Sequence, residues 1–276
     1  MNNNFFTNRA FSFMQAPLPA HAAQSRFHSN KKARNPMKNH VIALAIASLL
    51  GAPAIATAAN NADDHWSGTG ELGLAIAKGN TDSRTLVGKL AATRTQGDWA
   101  YAAGAAFLNG KSKGAETAYR YEGLLSAARN LGPRSYIVGG IRTERDHYAS
   151  YEYQNVAAIS YGFHALDTEA TQLTFEIGAG YRWSKLQDLR IHENGAIARA
   201  GMKFKHQFNE NVAVYDDLLV EGNGNNTLLR NDLGVQVKMT DALALKAGLE
   251  TRHNTNVLPG VKKTDTLTTV NVVYGF

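Results

Sequence analysis

The sequence predicts an all-β protein, an antiparallel transmembrane β-barrel of about 12 strands. Three observations predict it. Apolar and polar residues alternate over most of the chain from Trp66 onward, a segment typical of a secretory signal peptide precedes them, and the chain ends on the aromatic residue Phe276. Alternation of this kind is typical of membrane barrels, because only every second side chain of each strand faces lipid.

The composition excludes several classes of protein. The chain has 276 residues and no cysteine, so a disulfide framework and a cysteine-ligated metal site are both excluded. After the N-terminal region, no apolar run reaches the roughly 20 residues that a membrane-spanning helix needs. The formal charge is +6, but no cluster of Lys and Arg is interleaved with aromatic residues. We therefore expect no nucleic acid partner, and no motif indicates a cofactor or a metal.

The N-terminal region has the pattern of a targeting sequence that is cleaved off. Residues 37–59 contain a basic start, an apolar stretch at 41–50 and an A-x-A site at 56–58, which predicts a signal peptide cleaved after Ala58 or Ala59. A membrane-anchoring helix is the alternative for this segment, but Gly51 and Pro53 interrupt it. We interpret residues 1–36 as unstructured or as a start codon assigned too early. Residues 60–276 then form the barrel.

Turn signals divide the rest of the chain into twelve alternating segments. The clearest is 173–184, where Leu173, Phe175 and Ile177 lie on one face and Thr174 and Glu176 lie on the other. A helical period does not separate these two sets. The predicted strands are 66–78, 83–94, 98–109, 116–129, 134–146, 150–164, 171–184, 193–207, 212–222, 227–239, 242–253 and 264–276.

The connections between these segments predict an orientation. Short turns at 95–97, 130–133, 165–170, 208–211 and 240–241 alternate with connections that are often longer, such as 185–192 and 254–263. Bacterial barrels have short periplasmic turns and longer outer loops, so both termini are expected on the periplasmic side. The adjacent Asp216 and Asp217 interrupt the alternation of the ninth segment, which predicts a β-bulge there.

The last segment carries an assembly signal. Tyr274 and Phe276 close an alternating series that resembles the C-terminal strand of bacterial outer-membrane barrels, which implies recognition by the β-barrel assembly machinery. An edge strand of a soluble sandwich is the alternative. It leaves the signal peptide unexplained, together with the aromatic residues near the strand ends, which suit interfacial girdles. These aromatic residues are Trp99, Tyr101, Tyr119, Tyr121, Tyr151, Tyr153, Tyr181 and Trp183.

Two segments carry a family resemblance. The opening WSGTGELGLAIAKGNTDS at 66–83, with its Gly-Asn-Thr turn, and the ending KTDTLTTVNVVYGF resemble the YdiY-like salt-induced outer-membrane proteins, a domain of unknown function. The resemblance covers about residues 66–276. It implies an outer-membrane location in a Gram-negative bacterium and contact with outer-membrane lipid. It brings no catalytic residues.

Charged residues at alternate positions predict a polar lumen. Those proposed to line it are Glu176, Arg182, Arg230, Asp232, Lys246, Glu250 and Arg252. Two interpretations stay open: salt-bridged charges that fill the lumen, or a narrow, porin-like conduit for small polar solutes. The same register places Leu245 and Leu249 outside, so arginine at Leu245 is expected to cost about 2 to 4 kcal/mol if that residue sits near the bilayer midplane. The change Lys246→Gln is expected to cost little.

The sequence indicates no enzyme. An outer-membrane lipid-modifying hydrolase is the alternative from another class, and it would need a nucleophile, a base and an orienting group. The candidates are His147, His164, His192 and Ser160, which fall in no recognisable motif. A structural barrel without transport is the third alternative.

Overall fold

The computed structural model describes residues 66–78, 83–112 and 115–276. The predicted signal peptide at 37–59 and the segment 1–36 lie outside the described residues. No helix in the described ranges is long and apolar enough to cross a membrane.

Within these ranges the chain forms twelve strands. They are β1 Trp66–Lys78, β2 Ser83–Gln96, β3 Trp99–Ser112, β4 Ala115–Asn130, β5 Ser135–Asp146, β6 Tyr151–Asp167, β7 Thr171–Leu186, β8 Gly195–Gln207, β9 Val212–Gly222, β10 Thr227–Lys238, β11 Leu243–Asn254 and β12 Thr264–Gly275. Every predicted strand is present, and the observed bounds differ from the predicted ones by at most three residues.

The strands close into one antiparallel barrel. Each strand pairs with the next in sequence, and β1 pairs with β12. In that closing seam Leu72 lies opposite Val272, and Gly68 and Phe276 exchange backbone hydrogen bonds of 2.7 and 2.9 Å. Closure leaves no unpaired strand edge, which lipid would penalise because it offers no hydrogen bonds. The predicted fold class is therefore confirmed.

Side chains alternate between the two faces of the wall. In β7, Phe175 and Ile177 are exposed on the outside, whereas Thr174 and Glu176 are buried inside. Several glycines admit an aromatic ring from the neighbouring strand. A Cβ atom at Gly162, for example, would lie 2.1 Å from the Tyr136 ring. The pattern of small and large residues thus fits the curvature of a closed sheet.

The bulge predicted in β9 is wrong. Pairing of β9 with β8 and with β10 runs without a register shift through Asp216 and Asp217. The two residues alternate normally, because Asp217 faces the lumen while Asp216 faces outward and accepts a hydrogen bond of 2.5 Å from Asn231. Register shifts in the described chain occur instead at Gly110/Lys111, Tyr151/Tyr153 and His164/Leu166.

The bulge at the start of β6 changes the face of two residues. The period of two in this segment predicts Tyr151 outside and Glu152 inside. In the structure Tyr151 is only 4% exposed and donates a hydrogen bond to Glu193. Glu152 instead pairs with Arg145, at 2.7 Å, and with Lys185. Tyr151 therefore does not belong to the outer aromatic residues, because the extra residue of the bulge interrupts the period of two.

Candidate functional site in the barrel lumen

The seven residues proposed to line the lumen all lie inside the barrel. Their exposed fractions range from 1% for Lys246 to 8% for Arg252. They come from β7, β10 and β11, where each occupies an inward position of the alternating pattern. Arg182 lies at one mouth of the barrel, and the structure joins the other six to charged residues of β1, β2, β4, β5, β8 and β9 in three groups.

The first group crosses the barrel. The Arg252 guanidinium donates to Glu122 at 3.1 Å and to both oxygens of Glu144 at 2.6 Å. The Arg230 guanidinium bridges Glu122 at 2.9 Å and Glu250 at 3.2 Å. In the strand order β4 and β5 lie on the wall opposite β10 and β11. These charge-assisted hydrogen bonds therefore tie two facing walls together.

The second group connects β5 with β7, β8 and β9. Glu221 of β9 accepts hydrogen bonds from Arg142, at 2.5 Å, and from Arg199. Glu176 accepts from Lys203 and from the Tyr136 hydroxyl, both at 2.7 Å. Every carboxylate of this group has at least two donors, as a buried charge requires.

The third group connects β11 with β1 and β2. The Lys246 ammonium lies 3.6 Å from Glu71 and 4.5 Å from the centre of the Tyr215 ring. Tyr215 donates to Asp232 at 3.1 Å, and Lys89 lies 3.8 Å from the same carboxylate. The group therefore combines ion pairs with a cation–π contact.

These groups fill the middle of the lumen. An open aqueous channel would leave its lining charges accessible to water, yet the seven proposed lining residues are at most 8% exposed. A cavity of about 20 Å³ lies among Glu176, Arg199, Lys203, Asp217, Arg230 and Asp232. That volume has room for about one water molecule. The conformation described is therefore closed at its centre.

A strap, residues 255–263 between β11 and β12, covers one mouth of the barrel. The Leu258 amide donates to the Ser150 hydroxyl at 3.1 Å, and Ser150 precedes β6 on the opposite side. Asn256 donates to the Asn225 carbonyl at 3.2 Å. Arg182 belongs to this mouth, because its guanidinium donates to Asn223 at 3.1 Å and to the Asn226 carbonyl at 3.2 Å.

The loop that carries Ser150 is held at the same mouth. Tyr148 donates to the Glu116 carbonyl at 2.9 Å. Desolvation of the phenol and the nearby Glu116 carboxylate raise the pKa of Tyr148. At the opposite end, the Lys238 ammonium lies 2.8 Å from Asp241 and lowers the pKa of that carboxyl group.

Comparison with known proteins identifies the family. A family model for DUF481, described as a protein of unknown function, matches residues 70–276. The chain belongs to this family. Among curated proteins, none matches the chain.

The DUF481 barrel is similar in fold to outer-membrane barrels of known structure. The NanC porin has a TM-score of 0.53 and 12% sequence identity, over 74% of this chain and 98% of the porin. The translocator domain of the autotransporter NalP from Neisseria meningitidis has a TM-score of 0.44 and 14% identity, over 79% of this chain and 90% of that one. The KdgM porin has a TM-score of 0.45 and 10% identity, over 75% and 99%. Such low identities show a shared fold alone.

The hydrolase candidates of this DUF481 protein are not brought together. Buried His164 pairs with Thr174 at 2.9 Å, whereas His147 lies against the Tyr119 ring and His192 lies 3.3 Å from the Tyr153 hydroxyl. Ser160 is buried inside β6, and none of the hydrogen bonds described above joins it to a histidine. No group of three His, Asp or Glu residues in the described ranges could hold a metal.

The proposed assembly signal lies at the closing seam of the DUF481 barrel. Tyr274 and Phe276 are 55% and 70% exposed on the outside, with ring centres 6.3 Å apart. The Phe276 ring also lies over Gly68, where a Cβ atom would be only 2.3 Å from it.

Sequence reasoning missed the residue that connects the second group. Glu221 is 1% exposed and joins Arg142 to Arg199. The signal was present, since Glu221 follows Asp217 by four residues and therefore lies on the same face of β9. The bulge predicted at Asp216 concealed it.

Proposed function

We propose that this protein is a bacterial outer-membrane barrel that provides a narrow passage for small polar solutes and closes it at the centre. The observation that carries this proposal is the group of ion pairs across the lumen. A barrel with only a structural role would be filled at least as well by apolar side chains, since replacing buried ion pairs by hydrophobic residues is often neutral or stabilising. Charges in the lumen are useful where water and solutes enter in another conformation.

The location and the family role are parts of the same proposal. The signal segment 37–59 would direct export, and Tyr274 and Phe276 would be recognised by the β-barrel assembly machinery. The barrel would then face outer-membrane lipid, with its short turns in the periplasm. The resemblance to YdiY-like salt-induced proteins adds the proposal that this protein takes part in the response of the envelope to salt. Expression of the gene at low and high external salt tests that role, and equal expression would contradict it.

Conductance in a planar bilayer tests the passage. We expect the unaltered protein to give small, infrequent steps, because the ion pairs and the strap both obstruct the lumen. Shortening the strap 255–263 to a short Gly-Ser turn should increase the frequency of opening. A charge-balanced variant with alanine at Glu122, Arg230, Glu250 and Arg252 should increase the size of each step, since it removes two cations and two anions together.

The matched control removes charges outside the lumen. Alanine at Arg145 and Glu152 deletes an ion pair on the outer wall and should leave conductance unchanged. If both lumen variants insert as folded barrels and stay silent, the passage proposal is wrong and a structural role is favoured. Turnover of lipid without conductance would favour the hydrolase.

A further inference from the structure

An apolar groove crosses the outer wall of the barrel from β2 to β7. Its volume is about 740 Å³. The floor is formed by small residues on neighbouring strands, including Ala92, Ala103, Ala105 and Gly123. Larger apolar side chains border the groove, namely Leu90, Leu125, Ile141, Trp183 and Phe276.

The groove follows the hydrogen-bonding direction of the sheet. Ala105 lies opposite Gly123, Gly123 opposite Thr143, and Thr143 opposite Asn155, so the floor continues from strand to strand at one level, with Leu90 of β2 and Trp183 of β7 at its two ends. Five strand spacings of about 4.8 Å make it about 24 Å long. Because barrel strands are tilted, a groove perpendicular to them runs obliquely across the hydrocarbon layer. Its shape suits one extended apolar chain.

Cationic side chains lie between the groove and the end of the barrel that carries the chain termini. Arg94 follows Ala92 by two residues on the same outward face, and its guanidinium lies 5.8 Å from the centre of the Trp66 ring. Arg129 follows Leu125 by four residues and lies 5.7 Å from the centre of the Trp99 ring. Stacking on indole orients each guanidinium, and its planar set of N–H donors suits a phosphate group.

We propose that this surface binds a glycerophospholipid with an anionic headgroup, in the leaflet at the end of the barrel that carries β2–β3 and β4–β5 turns. The phosphate group lies at Arg94 and Arg129, and one acyl chain occupies the groove. Charge complementarity favours this occupant over a second copy of the chain. A two-fold dimer through the same face would bring the arginines of both copies together. The proposal does not depend on the function of the lumen.

The three tryptophans of the chain make the proposal measurable. The rings of Trp66 and Trp99 contact the guanidinium groups of Arg94 and Arg129. Trp183 borders the far end of the groove, so the fluorescence of all three tryptophans reports on this surface. The purified barrel is reconstituted in phosphatidylcholine vesicles that contain brominated phosphatidylglycerol or brominated phosphatidylcholine, and tryptophan quenching is measured. Two surface arginines predict a preference on the order of tenfold for the anionic lipid.

Two variants distinguish binding of the headgroup from binding of the acyl chain. The double variant Arg94→Gln, Arg129→Gln should reduce the preference to about onefold, with Arg190→Gln in the β7–β8 loop as its control. The variant Ala105→Leu fills the floor and should weaken quenching by both brominated lipids. Ala200→Leu, on the outer face of β8, is its control and should change nothing. Heat-modifiable mobility on gels verifies that each variant is folded.

Three results would overturn the proposal. The first is equal quenching by the two lipids, or a preference that survives loss of both arginines. The second is displacement of the lipid by free glycerol phosphate with no effect of Ala105→Leu, which would indicate a phosphate site without an acyl chain. The third is a dimer that Ala105→Leu dissociates, which would assign the groove to self-association.

Discussion

At the scale of single residues, burial decides what a charge does in this barrel. Lys246 and Leu249 lie three positions apart on β11, yet they meet different surroundings. Lys246 is 1% exposed and lies beside Glu71, whereas Leu249 is 41% exposed on the outer face. A substitution at each position therefore tests a different boundary, the packed lumen in one case and the lipid in the other.

The outward side of β11 gives the first prediction. Leu249 lies near the middle of the strand, whereas Leu245 lies close to the end that begins at Leu243. Arginine at Leu249 should lower the free energy of unfolding by about 2 to 4 kcal/mol, and arginine at Leu245 by about 0 to 1 kcal/mol, because the penalty falls toward the interface. Reversible unfolding from lipid vesicles measures both. Equal, negligible costs would mean that this face does not contact lipid.

The inward side gives a second prediction that differs from the expectation from sequence. Lys246→Gln was expected to cost little, but the structure shows Glu71 within 3.6 Å of the ammonium group. Loss of the cation leaves a buried carboxylate with Asn271 as its remaining described donor, at 3.1 Å. We expect Lys246→Met to cost about 3 to 5 kcal/mol. The double variant with Glu71→Gln should recover part of that cost, and simple additivity of the two changes would refute the coupling.

At the scale of strands, the sequence predicts features that depend on the local pattern of one segment. It does not predict contacts between strands that are distant in sequence. The period of two located all twelve strands, because alternation is a property of each segment by itself. The partners across the lumen depend on closure. Arg252 and Glu144 lie on β11 and β5 and meet only when the sheet is complete. The bulge before Tyr153 was not predicted, since one unpaired residue leaves no compositional mark.

The seam between β1 and β12 gives the third prediction. Deleting Phe276 removes two backbone hydrogen bonds with Gly68 and the ring that covers it. The amount of barrel inserted in the outer membrane should fall, while export across the inner membrane stays intact. Membrane fractionation with immunoblotting measures both quantities, and deletion of an exposed loop residue such as Arg190 provides the control. An unchanged outer-membrane yield would show that the seam closes without its last residue.

At the scale of the whole molecule, closure of the sheet and the ion pairs in the lumen together stabilise the barrel. Twelve paired strands satisfy the backbone, and the ion pairs connect walls that the backbone pairing keeps apart. Such a molecule should resist detergent as a unit, because no strand can leave without breaking contacts on both sides and across the centre.

This gives the fourth prediction. The protein should pellet with outer membranes and should migrate differently on gels before and after boiling. The compact barrel binds less detergent than the unfolded chain. A protein found soluble in the periplasm after membranes are pelleted would contradict the barrel in the outer membrane.

The charges in the lumen also matter before the barrel exists. A chain in transit has no lumen, so Glu122, Arg142, Glu221 and Arg252 are all in water, each on a different strand that also carries apolar residues. Hydrated charges at such positions interrupt apolar runs, which is the property that keeps an unfolded chain from aggregating. The residues that later fill the centre of the barrel would thus first serve as its solubilising groups, and their desolvation would be deferred until β12 reaches β1.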